Sequence, residues 1–190
     1  MSLRGKYRGA LLVSFLTALL LLGGGQATCA LAQSLSPTDA QVKAAMIYNL
    51  AKFVEWPGEA SAVVPAPLTV CWLGSGPLAE ELQAIDGKLV KNRPVVVRQA
   101  KTIAEVGDCQ ILVVDRTQQV QLPGILKAAE RNKIFTVSDV KGFAAAGGML
   151  GLVSDGGKVR FEINLAAVEA ANIKVSAQVL SLAVIVRGGD

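Results

Sequence analysis

The chain has 190 residues, of which 52% are hydrophobic, 18% charged and 5% aromatic. Nineteen Lys and Arg stand against 15 Asp and Glu, a formal net charge of +4, and there is no histidine. That absence excludes Ser-His-Asp and Cys-His machinery and most zinc sites, so neither a metal nor a cofactor is expected.

The basic excess belongs to the N-terminus. Arg4, Lys6 and Arg8 precede an aliphatic run at 10–22, and Ala30-Leu31-Ala32 has the small-x-small form of a cleavage site. The run is short for a bilayer span, so residues 1–32 read as a secretory signal cut between Ala32 and Gln33. Its loss removes three basic residues and no acidic ones, leaving 16 against 15 over residues 33–190. A net charge of about +1 gives no basic surface for nucleic acid. The remaining length suits one soluble domain with a real core. Cys71 and Cys109 are the cysteines left after cleavage. An even count in an exported protein favours a disulfide, and the spacing is not that of a catalytic dithiol.

Thr38-Asp39-Ala40-Gln41 has the form of a capping box. Val42, Met46, Leu50 and Phe53 then recur at helical spacing with Lys43 off the stripe, predicting a helix that ends at Trp56-Pro57. A Pro/Ala/Val loop follows. Residues 68–73 read as a strand, Gly74-Ser75-Gly76-Pro77 as a turn, and 78–84 as a helix. Residues 94–98 read as the second strand, 102–106 as a short turn or helix, 110–115 as the third strand, 122–131 as a helix and 134–137 as the fourth strand. Ser138 and Asp139 are placed to cap a short helix that fails at Gly147-Gly148. Runs at 149–153 and 158–163 flank Ser154-Asp155-Gly156-Gly157, whose Asp-Gly supplies a hairpin turn. Residues 165–171 are helical.

Strands alternating with helices imply an α/β fold. The expected form is a mostly parallel, doubly wound Rossmann- or flavodoxin-like sheet with helices on both faces, finished by the antiparallel hairpin and C-terminal helices. If Cys71 bonds Cys109, the first and third strands are neighbours and the order is 2-1-3-4.

Residues 175–186 carry no charge, and their polar side chains are Ser176, Gln178 and Ser181. Read as a helix, this segment has almost no polar face. Either its own domain covers it on both sides or part of it waits for another protein. The contact candidates are Ile173, Val175, Val179, Leu180, Leu182 and Ile185, with Phe53 and Trp56 as a second group.

Gly74-Ser75-Gly76-Pro77-Leu78-Ala79 fits the dinucleotide pattern G-x-G-x-x-A. Pro77 removes a backbone donor, however, and the following strand ends at Arg98-Gln99 rather than on an acid, so a tight turn is the better reading. Asp115 and Asp139 follow strands and read as turn or helix caps. A small-ligand pocket, if there is one, is expected at Gly74, Ser75, Gly76 and Asp115, outside the carboxyl ends of the first and third strands.

KAAMIYNLAKFVEWP (43–57), LTVCWLGSGPL (68–78), GDCQILVVD (107–115), FTVSDVKGFAAAGGMLGLV (135–153) and VRFEINLAAVEAANIKVSAQVLSLA (159–183) together resemble the YfiR family. The resemblance implies a periplasmic, non-enzymatic repressor that forms dimers. Such proteins hold an inner-membrane diguanylate cyclase inactive through its periplasmic part and are sequestered by an OmpA-like outer-membrane lipoprotein, which sets cyclic di-GMP and biofilm behaviour. It also implies that Cys71 and Cys109 pair, with redox state as an input. Some members carry a second cysteine pair near the hairpin, and here 144–148 and Leu152 offer none. Other members serve other membrane sensors, such as histidine kinases. The competing reading is a periplasmic small-ligand-binding accessory of such a sensor.

Overall fold

A computed structural model describes residues 36–58 and 66–187, and all of these but Ser36 lie in the compact unit Pro37–Asp190. The expected signal segment and its cut at Ala30, Ala32 and Gln33 lie outside the described residues. Among the described residues, no helix is long and apolar enough to cross a membrane.

Helix α1, Asp39–Ala51, starts on the expected capping box. The Thr38 hydroxyl accepts from the Gln41 amide at 3.2 Å, and the Gln41 side-chain oxygen accepts from the Thr38 amide at 3.0 Å. The helix stops short of Trp56 because the next residues form β1, Val54–Glu55. Its innermost face is also turned from the expected stripe. Lys43, Ala44, Ile47 and Ala51 are buried, whereas Val42, Met46, Leu50 and Phe53 are half-buried. Alanines bring the helix close to the sheet, and Lys43 can enter because carboxylates meet it there.

Then follow β2 (Leu68–Leu73), α2 (Pro77–Leu82), β3 (Leu89–Val90) and β4 (Arg93–Ala100). Strand β5 (Ile111–Val114), helix α3 (Leu122–Arg131), β6 (Phe135–Ser138), β7 (Leu150–Asp155) and β8 (Lys158–Asn164) come next. The chain ends with α4 (Leu165–Ala170), β9 (Lys174–Val175), α5 (Ala177–Leu180) and β10 (Val184–Val186). One eight-stranded sheet runs β10-β8-β7-β6-β5-β2-β4-β3, and β1 pairs with β9 apart from it. Strands β4, β2, β5, β6 and β7 are parallel and β7–β8 is the antiparallel hairpin, which is the expected 2-1-3-4 order followed by the hairpin.

Alternation along the central strands divides the core. Leu68 and Val70 on β2, with Ile111 and Val113 on β5, face α1 and α2. Cys71, Leu73, Leu112 and Val114 face α3 with Ile125 and Ala129. A strand buried on both faces has to read as a nearly unbroken apolar run, and LTVCWL and ILVV do. Cys71 is bonded to Cys109, just before β5, with their Cα atoms 5.9 Å apart.

Two expected helices are absent. Residues 140–147 form a succession of turns: Ser138 does make a local capping bond, but no helix follows it. The Ser138 hydroxyl donates to the Val114 carbonyl at 2.6 Å and accepts from the Val140 amide at 3.1 Å, only two residues on. Asp139 is engaged by cations, and Gly142 sits at φ 74°. The tail is the larger correction. Residues 175–186 begin in β9, which pairs Val175 with Val54. They continue through four-residue α5, capped by Ser176, and end in β10, which pairs Val184 with Glu162 and Ile185 with Ile163. Val184-Ile185-Val186 is β-branched throughout, and the open edge of β8 supplies the backbone partners that a helix would have provided internally.

Candidate functional site

Four charged side chains meet where α1 begins, near the carboxyl end of β6. Lys43 Nζ lies 2.6 Å from Asp39 and 2.8 Å from Asp139, and Arg116 reaches Asp139 at 2.8 Å. The Ser154 hydroxyl donates to Asp39 at 2.6 Å, bringing in the hairpin. Hydrogen bonds from Lys43 and then Ser154 hold the Asp39 carboxyl below its ordinary range. Lys43 itself is almost wholly enclosed. This cluster joins α1, the loop after β5, the end of β6 and the hairpin. No spacing in the sequence announced it, because a lysine in an amphipathic helix is expected on the wet side.

The glycine turn after β2 serves packing. Gly74 has φ 114°, and a Cβ there would come within 2.6 Å of Asp115 Cβ and 2.7 Å of Thr117 Oγ1. A Cβ on Gly76 would overlap the Asp115 carboxylate. Asp115 caps its own loop as expected, accepting from the Thr117 amide at 2.9 Å. The crevice between the first and third expected strands is therefore filled by Asp115, with a negative charge where a phosphate would have to sit. Asp115 is thereby packed against the turn, which gives the glycines of the G-x-G pattern a steric reason.

An open groove of about 470 Å³ lies instead on the other side of that turn, over the ends of β2 and β4. Gly74, Ser75 and Gly76 line it as expected, but Asp115 does not; the remaining lining is Trp72, Pro77, Ala79, Glu80, Gln83 and Gln99. The sequence reading missed Trp72 and Gln99. They are opposite one another in the β2–β4 register, and a pairing of that kind is visible only once strand order is known.

The contact candidates separate into three groups. Ile173 and Val179 are buried in the core of this chain, so as placed here they present no surface to a partner. Val175, Leu180, Phe53 and Trp56 are half-buried against the same core. They are stitched together, since the Ser176 amide donates to the Phe53 carbonyl at 3.0 Å and the Trp56 indole donates to the Gln110 carbonyl at 3.1 Å. Leu182 and Ile185 are exposed, at 73% and 45%, and Val184 between them at 51%. These three lie on or beside β10, which ends the sheet. Val120 is the most exposed large apolar side chain among the described residues, at 93%, in the loop after β5.

A doubly wound α/β domain with an exposed apolar end strand is thus what fold and surface define. Its fold is also found in a conserved domain protein from Vibrio cholerae (TM-score 0.53, 15% identity, 78% of this chain and 60% of that one). A second is the ABC domain from Streptococcus pneumonia solved in complex with L-Trp (TM-score 0.50, 13% identity, 77% and 59%). The chain spans about three fifths of the length of each. No curated protein matches it in sequence. The chain belongs to the YfiR/HmsC-like family, which it matches over residues 40–184. Members of that family are periplasmic regulators of cyclic di-GMP signalling rather than enzymes.

Proposed function

We propose that the mature domain is exported after cleavage at Ala32 and works by contact, restraining an inner-membrane diguanylate cyclase through its periplasmic part. The observation that carries this reading is the exposed apolar strip Leu182, Val184 and Ile185, on and just before a terminal strand. A strand at the end of a sheet has free main-chain groups on its outer side. Exposed aliphatic side chains on it are the usual requirements for pairing with another chain. In this reading a homodimer and an OmpA-like outer-membrane lipoprotein compete for, or share, that surface. Ile185→Glu should leave the domain folded and abolish both co-purification with the cyclase and the drop in cyclic di-GMP on co-expression. A folded Ile185→Glu, Leu182→Glu double variant that still lowers cyclic di-GMP would remove the strip from the mechanism. N-terminal sequencing of the exported protein tests the address, the expected start being Gln33.

A second reading has support from a specific feature, the groove at Trp72 and Gln99. In it the domain is a small-ligand-binding accessory of a membrane sensor, with ligand occupancy as the input.

A further inference from the structure

We propose that the groove beside the β2 turn binds a saccharide, one pyranose ring lying on the indole of Trp72. The proposal takes the ligand-binding reading as its premise and is independent of the contact reading. Trp72 and Gln99 line it from adjacent parallel strands and face the same way. Glu80 and Gln83 line it as well, three residues apart and so on one side of α2 and its following turn. Ser75 completes the polar lining.

The chemistry of this lining discriminates. Among the described residues no lysine or arginine borders the groove, and its one charge is the Glu80 carboxylate. An anionic ligand would meet repulsion with nothing to neutralise it. The Trp72 indole N–H, the Glu80 carboxylate and the Gln83 amide have no hydrogen-bond partner among the described residues. Gln99 uses one amide hydrogen on the Gly74 carbonyl at 3.3 Å and keeps its own carbonyl free. The groove therefore brings an aromatic side chain together with both donors and acceptors. A compact ammonium ion would use the carboxylate and the ring face but leave the indole N–H and amide donors without an acceptor. A pyranose uses all of them. Its axial C–H bonds lie on the ring, and its hydroxyls, each both donor and acceptor, meet amide, carboxylate and indole. The volume is in the roughly 300–1,000 Å³ range of small-molecule sites, and an open groove admits an oligosaccharide end.

The test is titration of the exported protein with cellobiose and with chitobiose, followed by the two tryptophan indole resonances in NMR spectra. One indole resonance, absent in Trp72→Phe, should move with a dissociation constant near 1 mM, on the order of weak small-ligand binding. Because Trp72 also packs on the core, the deciding variants are the exposed Gln83→Ala and Glu80→Gln, each expected to weaken binding by at least about threefold without changing the melting temperature. Sugar binding that is unaffected in both variants overturns the proposal. Choline or spermidine moving the Trp72 resonance while both sugars are silent would reassign the groove to ammonium ligands and leave the ligand-binding premise standing. If no probe moves it, the premise falls as well. Repression of cyclic di-GMP synthesis is read separately and decides neither.

Discussion

Gly76 illustrates how closely single residues are constrained near the β2 turn. Any side chain there has to displace the Asp115 carboxylate, so Gly76→Ala should cost about 1–3 kcal/mol of stability in urea unfolding. Adding Asp115→Ala should recover part of that loss, because the clash is with that side chain. Lys43 is constrained electrostatically. Replacing it with alanine leaves Asp139 paired to Arg116 alone, and the cost should be about 2–3 kcal/mol, below that of breaking a fully buried pair. The same cluster sets an acid limit. Asp39 has a folded-state pKa below its ordinary value of 3.8, so its contribution is fully present above that value and is lost as pH falls through the lower one. Stability measured as the pH is lowered from about 5 should fall less steeply in Asp39→Asn than in the parent. Lys43 was unreadable in sequence because its burial depends on Asp139, which is 96 residues away.

At the scale of elements, the tail decides the most. A helix over 175–186 would have carried apolar residues on every side, Ile185 among the polar ones, and so given no basis for ranking Val179 against Ile185. The strand-turn-strand path separates them, one in the core and one on an exposed edge. Val179→Glu should cost more than about 3 kcal/mol or prevent folding, whereas Ile185→Glu should change stability by less than about 1 kcal/mol. Near-equal effects in thermal melts would restore the helical picture. The hairpin was legible because Asp155-Gly156 demands its turn locally, and the structure places Gly156 and Gly157 at φ 54° and 76°. The path of residues 140–147 was not, because Ser138 and Asp139 also bond distant groups, Val114 for the one and Lys43 and Arg116 for the other.

For the molecule as a whole, the bond between Cys71 and Cys109 cross-links β2 to the segment just before its neighbour β5, closing a loop with a sequence separation of 38. Both cysteines are buried. Reducing it, or replacing both cysteines with alanine, should lower unfolding free energy by roughly 4 kcal/mol in the chain-entropy model. An unchanged urea midpoint after complete reduction would show that the sheet alone sets stability.

The sequence by itself determined the alternation of strands and helices, the capped first helix, the hairpin and, through two cysteines, the neighbour relation that orders the central sheet. Each of these rests on interactions between residues close in the chain or on a covalent bond. Tertiary structure alone decided that the uncharged tail completes a sheet, that Lys43 is buried and that Asp115 fills the expected crevice while Trp72 and Gln99 border another. Those outcomes depend on which distant backbone edge or charge arrives alongside, and local preference carries no record of it.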